Sequence, residues 1–364
     1  MKQPESKRFE ALTGLRAVAA TMVFLYHNRK YWREHIPNAI TSLLNECHLG
    51  VSLFFVLSGF LIAWTYGSKP AASVRSYLSY ILIRCARIFP VYWILLTVMY
   101  FDFGWNYTKF PLYTYTLVHS FSERLNLNGI AQAWSLGVEM TFYTLAPFLA
   151  IRLKKTVALI AYMLLLFLLA YSIGLIWTSI NGNPTNFFQP IRFLFTGTFF
   201  GRSIEFVIGM LLANSISKKT SWLTSFNYKT LAGVSGCLIC IFIISLFQKN
   251  IFTHGTETTM GLILSLSLFP LATALLIGGL ILENTILQRI LASRVMILLG
   301  NASFVFYLIH ISYVNIRLRE YVMLPDRNFV LLWILSIIIY WLIEKPLYSG
   351  IRTWTRHAIR STTE

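Results

Sequence analysis

An arginine and a histidine interrupt the first apolar stretch of the chain, residues 12–27, and their spacing could support chemistry. Arg16 and His27 are eleven positions apart, so on a helix they lie about three full turns apart on one face, separated by roughly 16 Å. Ionisable groups within a membrane span are costly and commonly mark a functional path. We therefore predict that Arg16 and His27 take part in the function of the protein. The alternative is that the Arg16 side chain only extends to the membrane interface and that His27 only marks the end of the helix.

The composition is that of an integral membrane protein. The chain has 364 residues, of which 56% are hydrophobic and 12% charged, and its mean hydropathy is +0.61. A soluble domain could not bury that much apolar surface. The net charge of +17 would suggest nucleic acid in a soluble protein. Here the basic residues fall in short loops between apolar runs, so they indicate membrane orientation and contact with anionic lipids, and we predict no nucleic-acid partner.

Ten apolar segments have the length that a bilayer span requires. They cover residues 10–28, 48–66, 79–101, 134–151, 156–178, 193–214, 230–247, 260–282, 295–315 and 328–348. The loops on the side of the two termini would carry 19 lysines and arginines and the opposite loops 11, which places both termini in the cytoplasm. We therefore predict an all-α, multi-pass protein of the cell (inner) membrane. A membrane domain covers residues 1–350, and a short basic cytoplasmic tail covers 351–364.

Two arginines one helical turn apart mark the cytoplasmic start of the third span. Arg84 and Arg87 share a helix face because residues at i and i+3 are neighbours. Guanidinium groups suit bidentate binding of phosphate oxygens, so the pair predicts a site for a phosphate-rich cytosolic cofactor. An ordinary pair of topology-determining arginines explains the spacing equally well.

The fourth span begins with Trp134 and Ser135 and carries a carboxylate, Glu139, about a turn and a half inside. Tyr143 follows Glu139 at i+4, on the same face. A carboxylate within a membrane usually has a partner, and the candidates are the arginine or the histidine of the first span, or a substrate hydroxyl. We take Glu139 as a candidate catalytic residue and the other three as candidate substrate-binding residues.

The ninth span places Ser303, Tyr307 and His310 on one face at i, i+4 and i+7. His310 falls in the outer half of its span, at a depth similar to that of His27. Two interpretations stay open: His310 lines the same cavity as His27 and binds substrate together with Tyr307, or it satisfies a buried hydrogen bond, which we slightly favour.

Two further patterns have structural explanations. Small residues in the second span, among them Gly50 and Gly59, are explained by close helix packing. The Cys-x-x-Cys of Cys237 and Cys240 lies in an apolar segment without neighbouring ligands, so we predict no metal site.

Taken together, these motifs resemble the membrane acyltransferase 3 family. The matching segments are Leu12-x-x-Leu15-Arg16-Ala17 with His27, the run from Leu53 to Leu61, Arg84-x-x-Arg87-Ile-x-Pro90, Trp134-Ser-Leu-x-x-Glu139-x-x-Phe-Tyr143, Ser303-x-x-x-Tyr307-Leu-x-His310 and Glu344-x-Pro346. Each motif alone is a weak signal, but all six occur in the family's order over about residues 9 to 350. The chain departs from the pattern at Thr13, where an aspartate often stands.

The resemblance implies an acyl-CoA-dependent O-acyltransferase. In that family an arginine and a histidine lie in the first span and the Arg-x-x-Arg motif is implicated in acyl-CoA use, which assigns these roles to Arg16, His27 and the Arg84–Arg87 pair. The expected reaction transfers an acyl group, acetyl foremost, from cytoplasmic acetyl-CoA to a hydroxyl of an extracytoplasmic or lipid-linked cell-envelope glycan. Acyl-CoA is a donor substrate here, with no bound cofactor expected. His27 is the expected general base, oriented or charge-balanced by Glu139.

A transporter or channel is the alternative, because intramembrane arginine, histidine and glutamate could also line a transport path. That function predicts inverted internal repeats and paired broken helices, and the sequence shows neither pattern. Acetyl transfer to a glycan by the purified protein would discriminate between the two.

Overall fold

The chain folds almost entirely into helices in the computed structural model, which describes residues 5–67, 73–104, 111–152, 156–182, 184–220, 226–321 and 325–360. Over these ranges the only strand-like pairing is an isolated bridge between Ser122 and Phe187. The predicted all-α membrane fold is confirmed. Its α-helices are α1 Glu5–Trp32, α2 Asn38–Asn45, α3 Gly50–Tyr66, α4 Val74–Phe103, α5 Pro111–Tyr115, α6 Trp134–Arg152, α7 Thr156–Asn181, α8 Ile191–Gly197, α9 Phe199–Ser217, α10 Lys229–Ser245, α11 Thr259–Leu282, α12 Ile286–Leu291, α13 Arg294–Ile309, α14 Tyr313–Tyr321, α15 Pro325–Ile339 and α16 Lys345–Arg360.

Short turns of other helix types join some of these elements. Four of them are 3₁₀ turns, at Glu46–Leu49, Val118–Phe121, Ala131–Ala133 and Gly255–Glu257. A π-helical turn, Tyr340–Glu344, precedes Pro346, and there the N–H of Lys345 reaches back to the carbonyl of Tyr340. The chain therefore stays helical through Glu344-x-Pro346, with the proline directly after the wider π-helical turn.

Each of the ten predicted spans coincides with a helix, but the count of ten is not confirmed. Among the described residues, seven helical segments are long and apolar enough to cross a membrane, and an eighth is added if α13 and α14 form one span. Those two helices are bent by 88° at their junction, so the ninth span does not continue straight to residue 315. α10, with 17 residues, is shorter than the seven. The cytoplasmic location of both termini stays a prediction.

The helices group into two compact units. The first contains Met1–Thr65, Ile204–His310 and Arg319–Ile337, and the second contains Tyr66–Ser203, Ile311–Leu318 and Ile338–Glu364. Arg16, His27, Tyr307 and His310 therefore belong to the first unit. The arginine pair of α4 and the candidate residues of α6 belong to the second.

Close helix packing holds the first unit together around α1, which lies against α13 and α12. Gly300 of α13 faces the backbone of α1 so closely that a Cβ there would be 1.9 Å from the carbonyl oxygen of Thr13. Gly59 of α3 likewise faces the carbonyl of Phe206 in α9, where a Cβ would be 2.0 Å away. The packing role predicted for the small residues of the second span is thus seen at Gly59.

A single carboxylate holds the start of α10 in the first unit. Glu283, just after α11, accepts hydrogen bonds from the backbone N–H groups of Tyr228, Lys229 and Thr230 at 3.0, 2.6 and 2.9 Å. The hydroxyl of Thr230 adds a fourth at 2.7 Å. Because the first N–H groups of a helix have no partner within the helix, Glu283 both satisfies them and neutralises the positive end of the helix dipole.

In the second unit, α4 packs against α6 and α16. Its C-terminal half holds the segment before α6 through tyrosine hydroxyls. Tyr92 donates to the carbonyl of Thr114 at 2.6 Å, and Tyr100 bonds the hydroxyl of that residue at 2.7 Å. His119 is buried in this segment, with Nδ1 3.1 Å from the carbonyl of Tyr113. Burial of the ring lowers the pKa of His119 to about 4, so the imidazole is neutral at pH 7.

Candidate active site

The imidazole ring of His27 is held near the C-terminal end of α1 by two contacts. Its Nδ1 is 2.9 Å from the carbonyl oxygen of Val23, one turn earlier. The same Nδ1 is 3.1 Å from Nε2 of His310, and the centroids of the two rings are 5.0 Å apart. Because a carbonyl oxygen can only accept a hydrogen bond, Nδ1 of His27 carries a proton.

His310 follows α13 directly, and its side chain is fully buried. Its Nδ1 lies 2.7 Å from the carbonyl oxygen of Tyr307, and its ring is nearly parallel to that of Phe306, with an interplanar angle of 9°. The carbonyl again requires a protonated Nδ1, so Nε2 is the acceptor in the neutral ring. The N–H of His27 is therefore shared between the Val23 carbonyl and the lone pair of His310.

This hydrogen-bond pattern leaves Nε2 of His27 with an unprotonated lone pair. The His27 side chain is only partly buried, whereas that of His310 is fully buried. A neutral imidazole with an available lone pair can take a proton from a hydroxyl within hydrogen-bonding distance. Proton uptake at Nε2 leaves the Nδ1 contacts intact, and the lone pair of His310 then stabilises the imidazolium. This geometry would allow His27 to act as a general base with its ring positioned by His310, a role that stays a prediction here.

Of the two interpretations that the sequence left open for His310, the buried hydrogen bond is present, whereas lining a cavity shared with His27 and binding substrate with Tyr307 stay predictions. Its Nδ1 satisfies a buried carbonyl, that of Tyr307, and its Nε2 contacts His27. Tyr307 is itself buried, and its ring meets Phe54 edge to face at 6.0 Å. The structure therefore brings Tyr307 and His310 together with His27.

Arg16 lies on the same unbroken helix as His27, three turns closer to the N-terminus. Since α1 is continuous, the predicted common face holds, and the helical rise separates the two residues by roughly 16 Å along the axis. Arg16 and His27 are therefore not in direct contact. The predicted placement of both residues on one helix is thus seen, and a functional role for the two stays a prediction.

A chain of hydrogen bonds beside the C-terminal part of α1 was not predicted from the sequence. Nδ1 of His254 lies 2.7 Å from the hydroxyl of Thr256, which lies 3.2 Å from Nε2 of His48. Nδ1 of His48 lies 3.0 Å from the carbonyl of Asn45, so it carries the proton and Nε2 accepts. Thr256 therefore donates to His48.

Glu46 connects this series of hydrogen bonds to the protein core. Its side chain is fully buried and accepts hydrogen bonds from the backbone N–H of Gly255 and from Nε2 of Gln248, both at 2.6 Å. These bonds tie the 3₁₀ turn before α3 to the loop between α10 and α11. The ring of Tyr26 lies 5.3 Å from that of His48, so the polar cluster adjoins the turn of α1 that carries His27.

In the second unit, Arg84 of α4 is surrounded by aromatic rings. The guanidinium carbon lies 5.3 Å from the ring centroid of Tyr66 and 5.5 Å from those of Tyr80 and Tyr143. Its Nε is buried and has no hydrogen-bond partner among the described residues, and the same holds for the hydroxyl of Tyr80. Buried donors without partners are costly, so this cage is suited to binding an anionic group.

Tyr143 links the arginines of α4 to the carboxylate of α6. Its hydroxyl donates to Oε1 of Glu139, one turn away on the same helix. Both Arg84 and Arg87 act electrostatically on Tyr143, so the predicted common face of the two arginines is consistent with the structure. The carboxylate thus has a partner that the sequence analysis did not consider.

The two residues that open α6 have structural contacts in the second unit. The guanidinium of Arg202 lies over the indole of Trp134, 5.7 Å from the ring centroid. Ser135 is buried, and its hydroxyl donates to the carbonyl of Gln132 at 3.0 Å. A substrate-binding role for Trp134 and Ser135 stays a prediction.

The residues best suited to hold a phosphate-rich donor are therefore Arg84 and Arg87. Across the described ranges, no group of three histidine, cysteine, aspartate or glutamate residues is arranged to hold a metal ion. The chemistry available from the described side chains is that of a neutral imidazole base and of guanidinium groups.

The fold is that of a multi-pass helical membrane protein, and comparison with known proteins identifies its class. The family model described as an acyltransferase domain, acyltransferase 3, matches residues 9–345. The chain belongs to this family, as the motifs indicated. No solved structure matches the chain.

Two curated proteins show local similarity. "Protein 2 in picA locus" of Rhizobium radiobacter is 31% identical over 99 residues, which are 27% of this chain and 48% of that protein. "Acyltransferase MdmB" of Streptomyces mycarofaciens is 30% identical over 92 residues, 24% of this chain and 22% of that protein. The chain thus spans less than half the length of either relative that it matches.

Proposed function

We propose that this protein transfers an acyl group, acetyl foremost, from cytoplasmic acyl-CoA to a hydroxyl of a cell-envelope glycan or of its lipid-linked precursor in the cell (inner) membrane. The proposal rests chiefly on which ring nitrogen of His27 carries the proton. Its Nδ1 proton is committed to the Val23 carbonyl and to His310, which leaves Nε2 as a base. Membership of the acyltransferase 3 family supports the reaction class.

In the proposed step, Nε2 of His27 takes the proton of the acceptor hydroxyl while its oxygen attacks the thioester carbonyl carbon. A C–O ester bond forms and the C–S bond of the donor breaks, so CoA leaves as a thiolate. The imidazolium of His27 then returns the proton to the thiolate or to solvent. His310 holds the Nδ1–H of His27 throughout, which keeps the ring orientation constant through both proton transfers.

Arg84 and Arg87 are proposed to bind the phosphates of CoA. The support is the unpartnered Nε of Arg84 within a cage of three tyrosine rings, since a stacked guanidinium presents its N–H groups in a fixed plane suited to phosphate oxygens. The hydrogen bond from Tyr143 supports a role for Glu139 beside these arginines. A role for Glu139 in charge-balancing His27 stays a prediction.

Acyl transfer by the purified protein tests the proposal. The protein in nanodiscs of phosphatidylcholine is incubated with acetyl-labelled acetyl-CoA and with neutral and acidic oligosaccharides, free or linked to polyprenyl diphosphate. We expect label in the oligosaccharide and an equal amount of free CoA, both dependent on an acceptor. Release of CoA that no saccharide stimulates would contradict glycan acylation, and a transmembrane flux of saccharide without label transfer would favour a transporter.

A further inference from the structure

We propose that Arg29 and Arg33, at the C-terminal end of α1, form a binding site for an anionic group, a carboxylate or a phosphate, carried by the acceptor saccharide. The inference rests on the proposed function and adds a substrate class to it. Arg29 lies in the last turn of α1 and Arg33 directly follows the helix. The N–H of Arg33 donates to the carbonyl of Arg29 at 3.0 Å, so the helical turn continues and the two residues, four positions apart, share one face.

Both guanidinium groups are held over aromatic rings. The guanidinium carbon of Arg29 lies 4.1 Å from the ring centroid of Tyr26, and that of Arg33 lies 4.0 Å from the ring centroid of Phe252. Cation–π contact of this kind restrains a guanidinium and leaves N–H groups in its plane to bind an oxyanion. Arginines that serve only to orient a helix in the membrane need no such support.

Both side chains also have hydrogen-bond donors that nothing in the described ranges satisfies. One Nη of Arg29 donates to the carbonyl of Tyr26 at 2.8 Å, but Nε of Arg29 and Nε of Arg33 are buried without a partner. A charged donor that is shielded from water and left unpaired is unfavourable. An oxyanion between the two side chains would satisfy both.

The surrounding charges favour the same ligand. Among the ion pairs of the described residues, none joins Arg29 or Arg33 to a carboxylate within 4.0 Å. Glu46 acts electrostatically on Arg29, but both hydrogen bonds of its carboxylate, from Gln248 and Gly255, go to Oε1, and its buried Oε2 has no hydrogen-bond partner in the described ranges. Like charges at i and i+4 destabilise a helix, and a bound anion removes that repulsion.

The site is built into the fold and is close to the base. The loop that carries Phe252 is tied to the rest of the unit by the buried Glu46 carboxylate, which positions the ring under Arg33. Along the helix axis, Arg29 and Arg33 lie roughly 3 Å and 9 Å beyond His27. Around the axis they are turned by roughly 200° and 240° from His27, so an anion at this site lies beside the base at a similar depth and not on the same face. Arg29 also acts electrostatically on His27.

Direct binding, which requires no turnover, tests the site. Methyl β-glucuronide, glucose 1-phosphate and the uncharged methyl β-glucoside are titrated into the full chain in phosphatidylcholine nanodiscs. The same titrations are made with Arg29→Gln, Arg33→Gln, Phe252→Ala and the control Lys30→Gln, which removes an exposed charge from the same helix. Elution as a single folded species qualifies each variant, and Arg29→Lys and Arg33→Lys replace any that fails, since lysine keeps the charge but not the planar fork.

We expect the two anionic sugars to bind about tenfold or more tightly than the glucoside, the scale of a charge-assisted hydrogen bond. This preference should be lost in both arginine variants, be reduced by Phe252→Ala and be kept by Lys30→Gln. Equal binding of charged and uncharged sugars, or an equal loss in Lys30→Gln, would overturn the site. So would a preference that disappears in phosphatidylglycerol nanodiscs, because the ligand would then be a lipid headgroup.

The design separates this inference from the proposed function. Acyl transfer with equal rates for acidic and neutral acceptors would overturn the anion site and leave the acyltransferase function standing. A binding preference that depends on Arg29 and Arg33 in a protein without transferase activity would support the site and reject the function.

Discussion

Nδ1 of His27 and Nε2 of His310 lie 3.1 Å apart, within hydrogen-bond distance. Nδ1 of His27 also contacts the backbone carbonyl of Val23, and Nδ1 of His310 contacts the backbone carbonyl of Tyr307. Those carbonyls assign the tautomers, because both Nδ1 atoms must donate. The pair therefore has a direction: His27 donates to His310 and directs its own lone pair elsewhere.

The role of His310 as a positioning residue predicts unequal effects of two substitutions. In His310→Gln the amide oxygen can still accept from Nδ1 of His27, whereas in His310→Phe nothing can. We expect kcat to fall about tenfold to a hundredfold in the phenylalanine variant and less in the glutamine variant, with the KM for acetyl-CoA unchanged in both. A purely structural histidine would instead lower the yield of folded protein and leave kcat of the remainder intact.

The tyrosine cage predicts that Arg84 contributes to donor binding. Arg84→Gln should weaken acetyl-CoA binding by roughly ten- to a hundredfold, since a hydrogen bond between charged groups contributes about 1.5–3 kcal/mol. Arg84→Lys should recover little of it, because an ammonium cannot bind as a planar fork. Arg192→Gln, which removes an exposed charge from the same unit, is the matched control. If acetyl-CoA binds all four proteins equally, the arginine is a topology signal.

The helices could be predicted because a membrane-spanning helix depends on consecutive residues, namely a long apolar run with charged residues on either side. The sequence also placed Arg16 and His27 correctly, since both lie on one unbroken helix. It could not show that His27 meets His310, because the two are 283 residues apart and only packing of α1 on α13 joins them. Similar depth in the membrane was the available signal.

The remaining site contacts were hidden for the same reason. The cage of Arg84 combines residues of α3, α4 and α6, and spacing along one helix says nothing of such a meeting. Glu46 and Gln248 pair across 202 residues. The span count was uncertain for a different reason: helix length and hydropathy identify helices but do not reveal a bend such as that between α13 and α14.

The contacts of Glu283 predict that its contribution to the free energy of unfolding depends on pH. Burial opposes ionisation of its carboxyl group, but hydrogen bonds from Thr230 and Lys229 and the charge of Lys229 outweigh that effect and hold the pKa below its usual value of 4.5. The stabilisation is therefore complete above the unfolded-state pKa and is lost as the pH falls through the folded-state pKa. Glu283→Gln should unfold more easily at pH 7, by about 0.5–2 kcal/mol, and the difference from wild type should shrink in acid.

Thermal unfolding from pH 7 down to pH 3 measures this term. Glu34→Gln, which changes an exposed carboxylate of the same unit, provides the baseline. An equal loss of stability for Glu34→Gln, or a difference for Glu283→Gln that does not change with pH, would show that Glu283 does not act through its charge.

Burial of His119, in the second unit, predicts a second contribution to the free energy of unfolding that changes in acid. Burial lowers the pKa of the folded-state imidazole to about 4, against an ordinary value of 6.5. Between these pH values the unfolded chain binds more protons than the folded one, so stability declines as the pH falls from about 6.5 to about 4. His119→Asn should be less stable at pH 7 and should flatten that decline. A decline of unchanged slope would mean that His119 does not contribute to it.

Turnover by His27→Gln tests the central claim most directly, because glutamine keeps a hydrogen-bonding side chain but cannot take a proton. The measurement is single-turnover acyl transfer from acetyl-CoA, made beside acetyl-CoA binding on the same preparation. We predict a rate lowered by about 10²–10⁴-fold with donor affinity unchanged. A near-normal rate in His27→Gln would contradict the base role and leave His27 as a structural residue.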